Sequence, residues 1–234
     1  MLLSQNTVKI LQNYSNINPG IILHQGNFQY TGSPIGSALV TSVTLPEDFP
    51  KEIVINDLDK FLKFYKNIKD AEIEFEDDYL TIKNTNESLH FYYGDKDMIV
   101  VPKKEPYPHD KIDMDFIVDS EFIQKFKSLS AIASNFKHIK ITPLEENVQL
   151  TLCNKESENI AEHNYQILVD GSLSNESLRQ SSFYLSMETL KAVLEGNYEF
   201  YLTVLEINSN FVYLLRMYNV TYNVNYWTSV IKAD

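Results

Sequence analysis

The sequence has 234 residues and a formal net charge of −12, with 44% hydrophobic and 22% charged residues. This length fits one large or two small domains, and the balance of residues excludes a largely disordered chain. No run of about 18 apolar residues occurs, so no segment is predicted to span a membrane. The first 14 residues lack the basic and apolar regions of a secretion signal. Cys153 is the one cysteine, which permits no intrachain disulfide and makes a reducing cytoplasm the simplest compartment.

One pattern occurs four times in the sequence: an amphipathic helix followed by two strands joined by a polar turn. The predicted helices are 4–15, 57–68, 120–134 and 186–195, the last of them stopped by Gly196. The predicted strand pairs are 20–24 with 27–31, 71–76 with 79–83, 138–142 with 147–153, and 197–205 with 211–217. Further strands are predicted at 37–43, 88–93, 97–101, 164–169 and 220–226.

A proline-rich stretch divides these units into two pairs. Residues 102–111 contain three prolines, which mark an extended connector rather than the interior of an element. We therefore predict one domain at 1–101, a connector at 102–111 and a second domain at 112–234. The expected class is α+β, with antiparallel sheets and helices packed on one face.

Lysines are concentrated on the predicted helices, although the chain as a whole is acidic. Together the four helices hold seven lysines and five carboxylates, so they sum to +2 and the rest of the chain to −14. Lys60 and Lys63 oppose the apolar stripe of the second helix, and Lys127 opposes that of the third. The fourth helix fits less well, because Glu188 and Glu195 share its free face.

Two interpretations of these lysines are open. Exposed helix faces commonly carry lysine for solubility alone. The same bias on three helices of so acidic a chain favours a function instead. Because a sheet with all its helices on one side gathers these lysines, we predict a weak, sequence-independent surface for phosphate groups.

Several segments together resemble one known family. The sequence opens with LSQNTVKILQNYSNINPGIILHQGNFQYT, in which Ile17-Asn18-x-Gly20-Ile21 forms a turn. It continues with IVINDLDKFL, VVPKKEPYP and, from Met187, MxxLKxxxxGNYEFYL. In this order and spacing the segments resemble the sliding clamps of T-even-type bacteriophages, the DNA polymerase processivity factors of the PCNA-like clamp superfamily. The resemblance is poorest at 155–180 and after Phe211.

The resemblance implies a ring of three protomers around double-stranded DNA, with two clamp-fold domains in each protomer, helices facing the hole and sheets outside. It also implies that the clamp binds DNA without sequence specificity and tethers the replicative DNA polymerase, inside the cytoplasm of the host. Ring closure would pair an edge strand at 88–93 or 97–101 with one at 163–169. The lysines that would face the hole are Lys9, Lys60, Lys63, Lys66, Lys125 and Lys127.

The resemblance further implies an apolar pocket beside the connector, where the polymerase and the clamp loader dock short peptide tails. Residues near Val40, Val43 and Tyr107 are candidates for its lining. Tyr226 and Trp227 are weaker candidates. The alternative for each is an ordinary core residue.

No pattern of catalytic residues emerges from the sequence. It contains no phosphate-binding loop of the G-x-x-x-x-G-K-[ST] type, and its five histidines are too scattered for a zinc site. Asp113 and Asp115 could hold a divalent metal, but they directly follow the connector and suit the start of a solvated strand. We therefore expect neither an enzyme nor a cofactor.

Two other functions stay open at this point. A β-rich tail or baseplate protein of a phage would share the strand content and the acidity, but it has no need of lysines restricted to helices. A metal-dependent nuclease would rest on Asp113 and Asp115 alone.

Overall fold

The computed structural model describes residues 1–34, 39–102, 110–133, 135–157 and 164–233. The helices in these ranges are α1 (Gln5–Ile17), α2 (Leu58–Asn67), α3 (Ser120–Ile132) and α4 (Met187–Ala192). The first strands are β1 (Ile21–Leu23), β2 (Gly26–Gly32), β3 (Val40–Phe49), β4 (Ile53–Ile55), β5 (Glu72–Phe75), β6 (Tyr79–Lys83) and β7 (Ser88–Tyr92). The remaining strands are β8 (Met114–Val118), β9 (His138–Pro143), β10 (Asn147–Cys153), β11 (Tyr165–Leu173), β12 (Phe183–Ser186), β13 (Tyr198–Ile207), β14 (Asn210–Asn219) and β15 (Val224–Lys232).

The chain divides into two compact units. Unit 1 comprises Met1–Gly36 with Val40–Pro106, and unit 2 comprises Ser37–Leu39 with Tyr107–Asp234. Both units combine helices with antiparallel strands, which confirms the α+β class.

Each helix begins at a polar residue whose side-chain oxygen accepts a hydrogen bond from an N–H of the first turn. These bonds satisfy donors that have no partner inside a helix. The residues are Ser4, Asp57, Asp119 and Ser186.

Unit 1 contains three sets of antiparallel strands. β2 pairs with β3, β1 pairs with β4, and β5, β6 and β7 follow one another in a three-stranded sheet. Helix α1 packs against α2, and both bury their apolar stripes. The buried side chains include Ile10, Leu11 and Tyr14 from α1, and Leu58, Phe61 and Leu62 from α2.

The strands of unit 2 pair in the order β12-β9-β10-β11-β8-β13-β14-β15. A short pairing of β12 with β15, through Phe183 with Lys232 and Tyr184 with Ile231, closes this order on itself. Helices α3 and α4 pack against each other. The aromatic residues Phe116, Phe126, Tyr198 and Tyr226 are completely or almost completely buried in the core of this unit.

The two units repeat one order of elements: a helix, four strands, a second helix and three strands. A further strand pairing precedes the first helix in both. In unit 2 β8 pairs with β13, and in unit 1 Met1 and Ile73 exchange two backbone hydrogen bonds, with N···O distances of 2.6 and 2.7 Å. The helix followed by a two-stranded hairpin, which the sequence pattern predicts four times, is present three times: after α2 as β5–β6, after α3 as β9–β10 and after α4 as β13–β14.

The structure corrects several sequence predictions. β1 pairs with β4 rather than with β2, so the first predicted hairpin is wrong. Residues 97–101 are not a strand, because Lys96–Met98 form a 3-10 turn. Helix α4 ends at Ala192, well before Gly196, whose positive φ of 149° belongs to the following turn. The short strands β4 and β12 were not predicted, and of β8 only its start at Asp113–Asp115 was predicted.

Candidate nucleic-acid interface

The helix pair of unit 1 presents a surface rich in lysine. Lys9 on α1 and Lys60, Lys63 and Lys66 on α2 are all exposed. They lie there because the apolar residues of both helices turn inward at helical spacing, which leaves the remaining positions to solvent. The sequence analysis predicted these four residues on this face.

Three of these lysines are held by neighbours. Lys66 Nζ donates a hydrogen bond to Gln12 Oε1 at 2.6 Å, which ties α2 to α1. Lys63 Nζ lies 2.5 Å from Asp59 Oδ2, and this hydrogen bond raises the pKa of Lys63. Lys60 Nζ lies 5.9 Å from the centre of the Phe64 ring. The contacts orient the three ammonium groups.

The helix pair of unit 2 uses its lysines differently. Lys125 is exposed and lies over the Tyr165 ring at 4.9 Å, and its interaction with Tyr165 raises the pKa of the ammonium group. Lys127 is half-buried and donates a hydrogen bond to the carbonyl oxygen of Val193 at 2.9 Å, and burial lowers its pKa. Lys127 therefore helps to join α3 to the end of α4.

As the structure bounds them, the four helices together carry seven lysines and only three carboxylates. They are thus the basic part of a chain whose net charge is −12. An exposed basic surface of this kind attracts phosphate groups without distinguishing bases.

The predicted peptide-pocket residues lie in different settings. In unit 1, Val40 is half-buried and Val43 is buried. Tyr107 lies outside the described residues. In unit 2, Tyr226 has no exposed surface, and its hydroxyl accepts a hydrogen bond from Leu194 N. Trp227 is 5% exposed. The burial of Tyr226 and of Trp227 favours the alternative that each is a core residue.

The acidic pair considered as a metal site has other partners. Asp113 is 1% exposed, and its carboxylate accepts hydrogen bonds from Val204 N at 2.7 Å and Asn175 Nδ2 at 2.7 Å. Lys111 Nζ lies 3.0 Å from the same carboxylate. Burial alone would raise the pKa of Asp113, but these donors outweigh it and hold the pKa below its ordinary value. Among the described residues no group of three His, Cys, Asp or Glu side chains could hold a metal ion.

Several strands have an edge that no other described strand covers, and β7 and part of β11 are among them. β7 pairs with β6 alone, and residues 165–170 of β11 pair with β10 alone. Both edges were predicted for ring closure. Tyr92 on β7 and Leu168 on β11 are exposed by 70% and 58%.

Two features of the surface escaped the sequence analysis. The hydrogen bond between Gln12 and Lys66 was not predicted, because it joins residues 54 positions apart in the sequence. The turn around Asn18 was noted only as a resemblance, although a polar residue beside a proline and a glycine signals a specific local role.

The comparisons with known proteins concern the fold and then the family. The PCNA of A. fulgidus, solved with the C-terminal region of FEN-1 bound, superimposes with a TM-score of 0.62 at 13% identity, over 97% of this chain and 94% of that one. This likeness defines the fold as that of the sliding clamps. None of the helices in the described ranges is long and apolar enough to cross a membrane.

Sequence comparison identifies the family within that fold. Residues 4–101 match the family described as DNA polymerase processivity factor. The sliding clamp of Vibrio phage KVP40 is 23% identical over 173 residues, which span 72% of this chain and 77% of that clamp. The sliding clamp of Escherichia phage RB69 is 32% identical over 106 residues, which span 44% of this chain and 46% of that clamp.

In sequence and in fold the chain is thus similar to the sliding clamps of T4-like phages, the family of DNA polymerase processivity factors. This family consists of processivity factors rather than enzymes, which confirms the expectation that the protein is not an enzyme. The same kinship favours the clamp over a baseplate protein and over a nuclease.

Proposed function

We propose that this chain is a ring-shaped sliding clamp that encircles double-stranded DNA without sequence specificity and tethers the replicative DNA polymerase. The observation that carries the proposal is the lysine-rich surface of α1 and α2 on an acidic protein with the clamp fold. The residues proposed to face DNA are Lys9, Lys60, Lys63, Lys66 and Lys125, with Lys127 expected to contribute little because its ammonium group is bonded to the Val193 carbonyl. The proposed domains are 1–101 and 112–234, joined by the connector 102–111.

The mechanism relies on topology more than on affinity. A closed ring leaves DNA only by opening or by reaching an end, so its contacts with phosphate can be weak and salt-sensitive. Weak contacts allow the ring to slide. A polymerase bound to the ring rebinds its primer end as if within one molecule, which lengthens each round of synthesis.

Ring closure is proposed to add the free edge of β7 in one protomer to the free part of β11 in the next, in a homotrimer. Such pairing satisfies the backbone groups of both edges and covers Tyr92 and Leu168. Covering these edges also protects the protein from edge-to-edge aggregation.

The partners proposed besides DNA are the polymerase and the clamp loader, inside the infected host cell. Both would dock short peptides in an apolar pocket near Val40, Val43 and Tyr107. The proposal is supported by the archaeal PCNA structure, in which a clamp of this fold holds the C-terminal region of another protein.

Primer extension on a long single-primed circular template tests the function directly. With the cognate polymerase and loader, adding this protein is expected to lengthen products by about tenfold or more. Cutting the template after loading should release the clamp from its ends. Unchanged product length, or equal retention on circular and linear DNA, contradicts the proposal.

A substitution on β11 tests ring closure. Leu168→Asp would place a carboxylate without a partner in the proposed interface, so light scattering should find monomers at a concentration where the unaltered protein has the mass of three protomers. Ile117→Asp is the matched control, because Ile117 on β8 is 59% exposed against 58% for Leu168. If both variants keep the mass of three protomers, β11 is not part of the interface.

A further inference from the structure

One hydrogen bond joins the two helices of unit 1 on their exposed side. Lys66 Nζ on α2 donates to Gln12 Oε1 on α1 at 2.6 Å. Both side chains are exposed, and both helices turn their apolar residues away from this side. The bond therefore places an ammonium group and a side-chain amide next to each other on the surface proposed to face DNA.

The same bond fixes which way the amide of Gln12 is turned. An ammonium group can only donate, so the atom that faces Lys66 is the oxygen of the amide. The Nε2 group lies on the other side of the amide carbon and has two hydrogens to donate. Among the residues that the structure describes, none accepts a hydrogen bond from Nε2. These two hydrogens are therefore available to a ligand.

The neighbouring lysine on α2 has a different kind of partner. Lys63 Nζ lies 2.5 Å from the carboxylate of Asp59, so the charge of Lys63 is balanced locally. Lys66 is bonded to a neutral amide instead, and no carboxylate of the described ranges pairs with it. An anion that approaches Lys66 therefore meets a positive charge beside an amide that can donate to it.

A phosphate group of DNA can use both of these groups. A lysine supplies charge but little direction, because its ammonium group is a point charge on a flexible stem. A glutamine amide supplies a directed hydrogen bond, and such amides contact the phosphates of DNA without distinguishing bases. The alternative is a purely structural role, since Lys66 lies in the last turn of α2, where a positive charge stabilises a helix.

We infer that Gln12 and Lys66 together form a binding site for one phosphate of the DNA backbone. Lys66 supplies the charge and orients Gln12, and Gln12 supplies the directed hydrogen bond. The inference rests on the proposed function, because it assumes that this side of α1 and α2 faces DNA. A neutral donor releases no counterion when it binds, so the contribution of Gln12 should persist at salt concentrations that weaken the contacts of the lysines.

A matched pair of charge changes tests this site in the full-length protein. Gln12→Glu keeps an oxygen for Lys66, and so keeps the helices joined, but it removes both donors and adds a carboxylate. Gln5→Glu is the control, because Gln5 is an exposed amide about two turns earlier on the same side of α1, with no described partner for its side chain. The affinity for a short DNA duplex should fall about fivefold more in Gln12→Glu than in Gln5→Glu. Equal affinities would leave Gln12 and Lys66 only the structural role and would overturn the site.

The salt dependence of binding separates the two members of the site. Gln12→Met removes the donors with little change of shape, and should weaken binding about threefold at every salt concentration. Lys66→Met removes a charge, so the slope of log K against log salt should become less steep by about 0.9 for each phosphate contact that is lost. Unaltered binding of Gln12→Met at every salt concentration, or an unaltered slope in Lys66→Met, would contradict these roles.

The side-chain amide of Gln12 can also be observed directly. During titration of the full-length protein with the same duplex, the NMR signal of the Gln12 side-chain amide should shift, and it should shift more than that of Gln5. If the backbone amides of α1 and α2 respond and this side chain does not, the site is overturned while the proposed DNA surface stands. If no amide of either helix responds, the proposed DNA surface fails together with the site.

Discussion

The helix pairs of the two units occupy equivalent places in the repeat but differ in charge. α1 and α2 carry four lysines and one carboxylate, whereas α3 and α4 carry three lysines and two carboxylates. In unit 2, Lys127 is bonded to the Val193 carbonyl and Lys191 to Glu188, 3.1 Å away. The difference teaches that a shared fold does not give both units an equal share in binding DNA, and we expect unit 1 to contribute more.

The units also differ in how their first strand pairing is held. In unit 1 the backbone bonds between Met1 and Ile73 suffice. In unit 2 the buried carboxylate of Asp113 joins the start of β8 to Val204 and to Asn175. Unit 2 should therefore depend on a charge for its stability at a place where unit 1 does not.

Removing that charge should give the largest effect. Asp113→Asn leaves too few acceptors for Val204 N, Asn175 and Lys111, and is expected to lower the free energy of unfolding by about 2–3 kcal/mol. Urea denaturation at fixed protein concentration measures this loss of stability. Asp115→Asn is the control, because Asp115 is only half-buried and accepts from Ser172 Oγ alone among the bonds described. Equal losses in both variants would contradict a special role for Asp113.

The pH dependence follows from the same carboxylate. The pKa of Asp113 is lower in the folded protein than its ordinary value of 3.8. Its stabilisation is therefore complete above that value and is lost as the pH falls through the lower folded pKa. The difference in stability between the unaltered protein and Asp113→Asn should be constant from pH 7 to about 5 and should shrink below about 4.

Charge reversal on unit 1 should have the next largest effect. Lys60→Glu with Lys63→Glu changes the DNA-facing charge by four in each protomer, and we expect processivity to fall about tenfold at low salt, where phosphate contacts are strongest. Lys51→Glu with Lys96→Glu makes the same change in unit 1 away from the helices. A comparable loss in this control would mean that net charge, rather than the helix face, governs function.

The corresponding change in unit 2 should do less. Lys125→Glu is expected to reduce processivity about twofold, because one charge is reversed on a helix pair that is closer to neutral. Primer extension with Lys125→Glu and with the single variant Lys60→Glu compares the reversal of one charge in each unit. If Lys125→Glu proves the more damaging, the proposed imbalance between the units is wrong.

The smallest effect concerns stability alone. Lys127→Met keeps the apolar stem but removes the hydrogen bond to Val193, so the free energy of unfolding should fall by less than about 1 kcal/mol. Processivity should change little, since this ammonium group is already bonded within unit 2. A large loss of processivity with unchanged stability would instead assign Lys127 to DNA.

Helical spacing and capping residues made the helices predictable. Short polar turns made the hairpins that follow α2, α3 and α4 predictable. Strands β9 and β10 lie where the alternation of apolar residues predicts them, because both halves of such a hairpin are close in sequence. The pairing of β1 with β4 was not predictable in the same way, since it joins residues 30 to 34 positions apart. Residues 97–101 have the composition of a strand, yet an Asp95 cap and the 3-10 turn override that propensity.

By itself the sequence determined the repeat, the α+β class and the lysines exposed on α1 and α2, because each depends on local periodicity and on which side of a helix is apolar. Only the tertiary structure decided which lysines are free to act and which carboxylate is structural. Lys127 and Asp113 find their partners in Val193, Val204 and Asn175, which are far away in sequence. Electrostatic roles depend on such distant neighbours and on burial, and neither is written in local sequence.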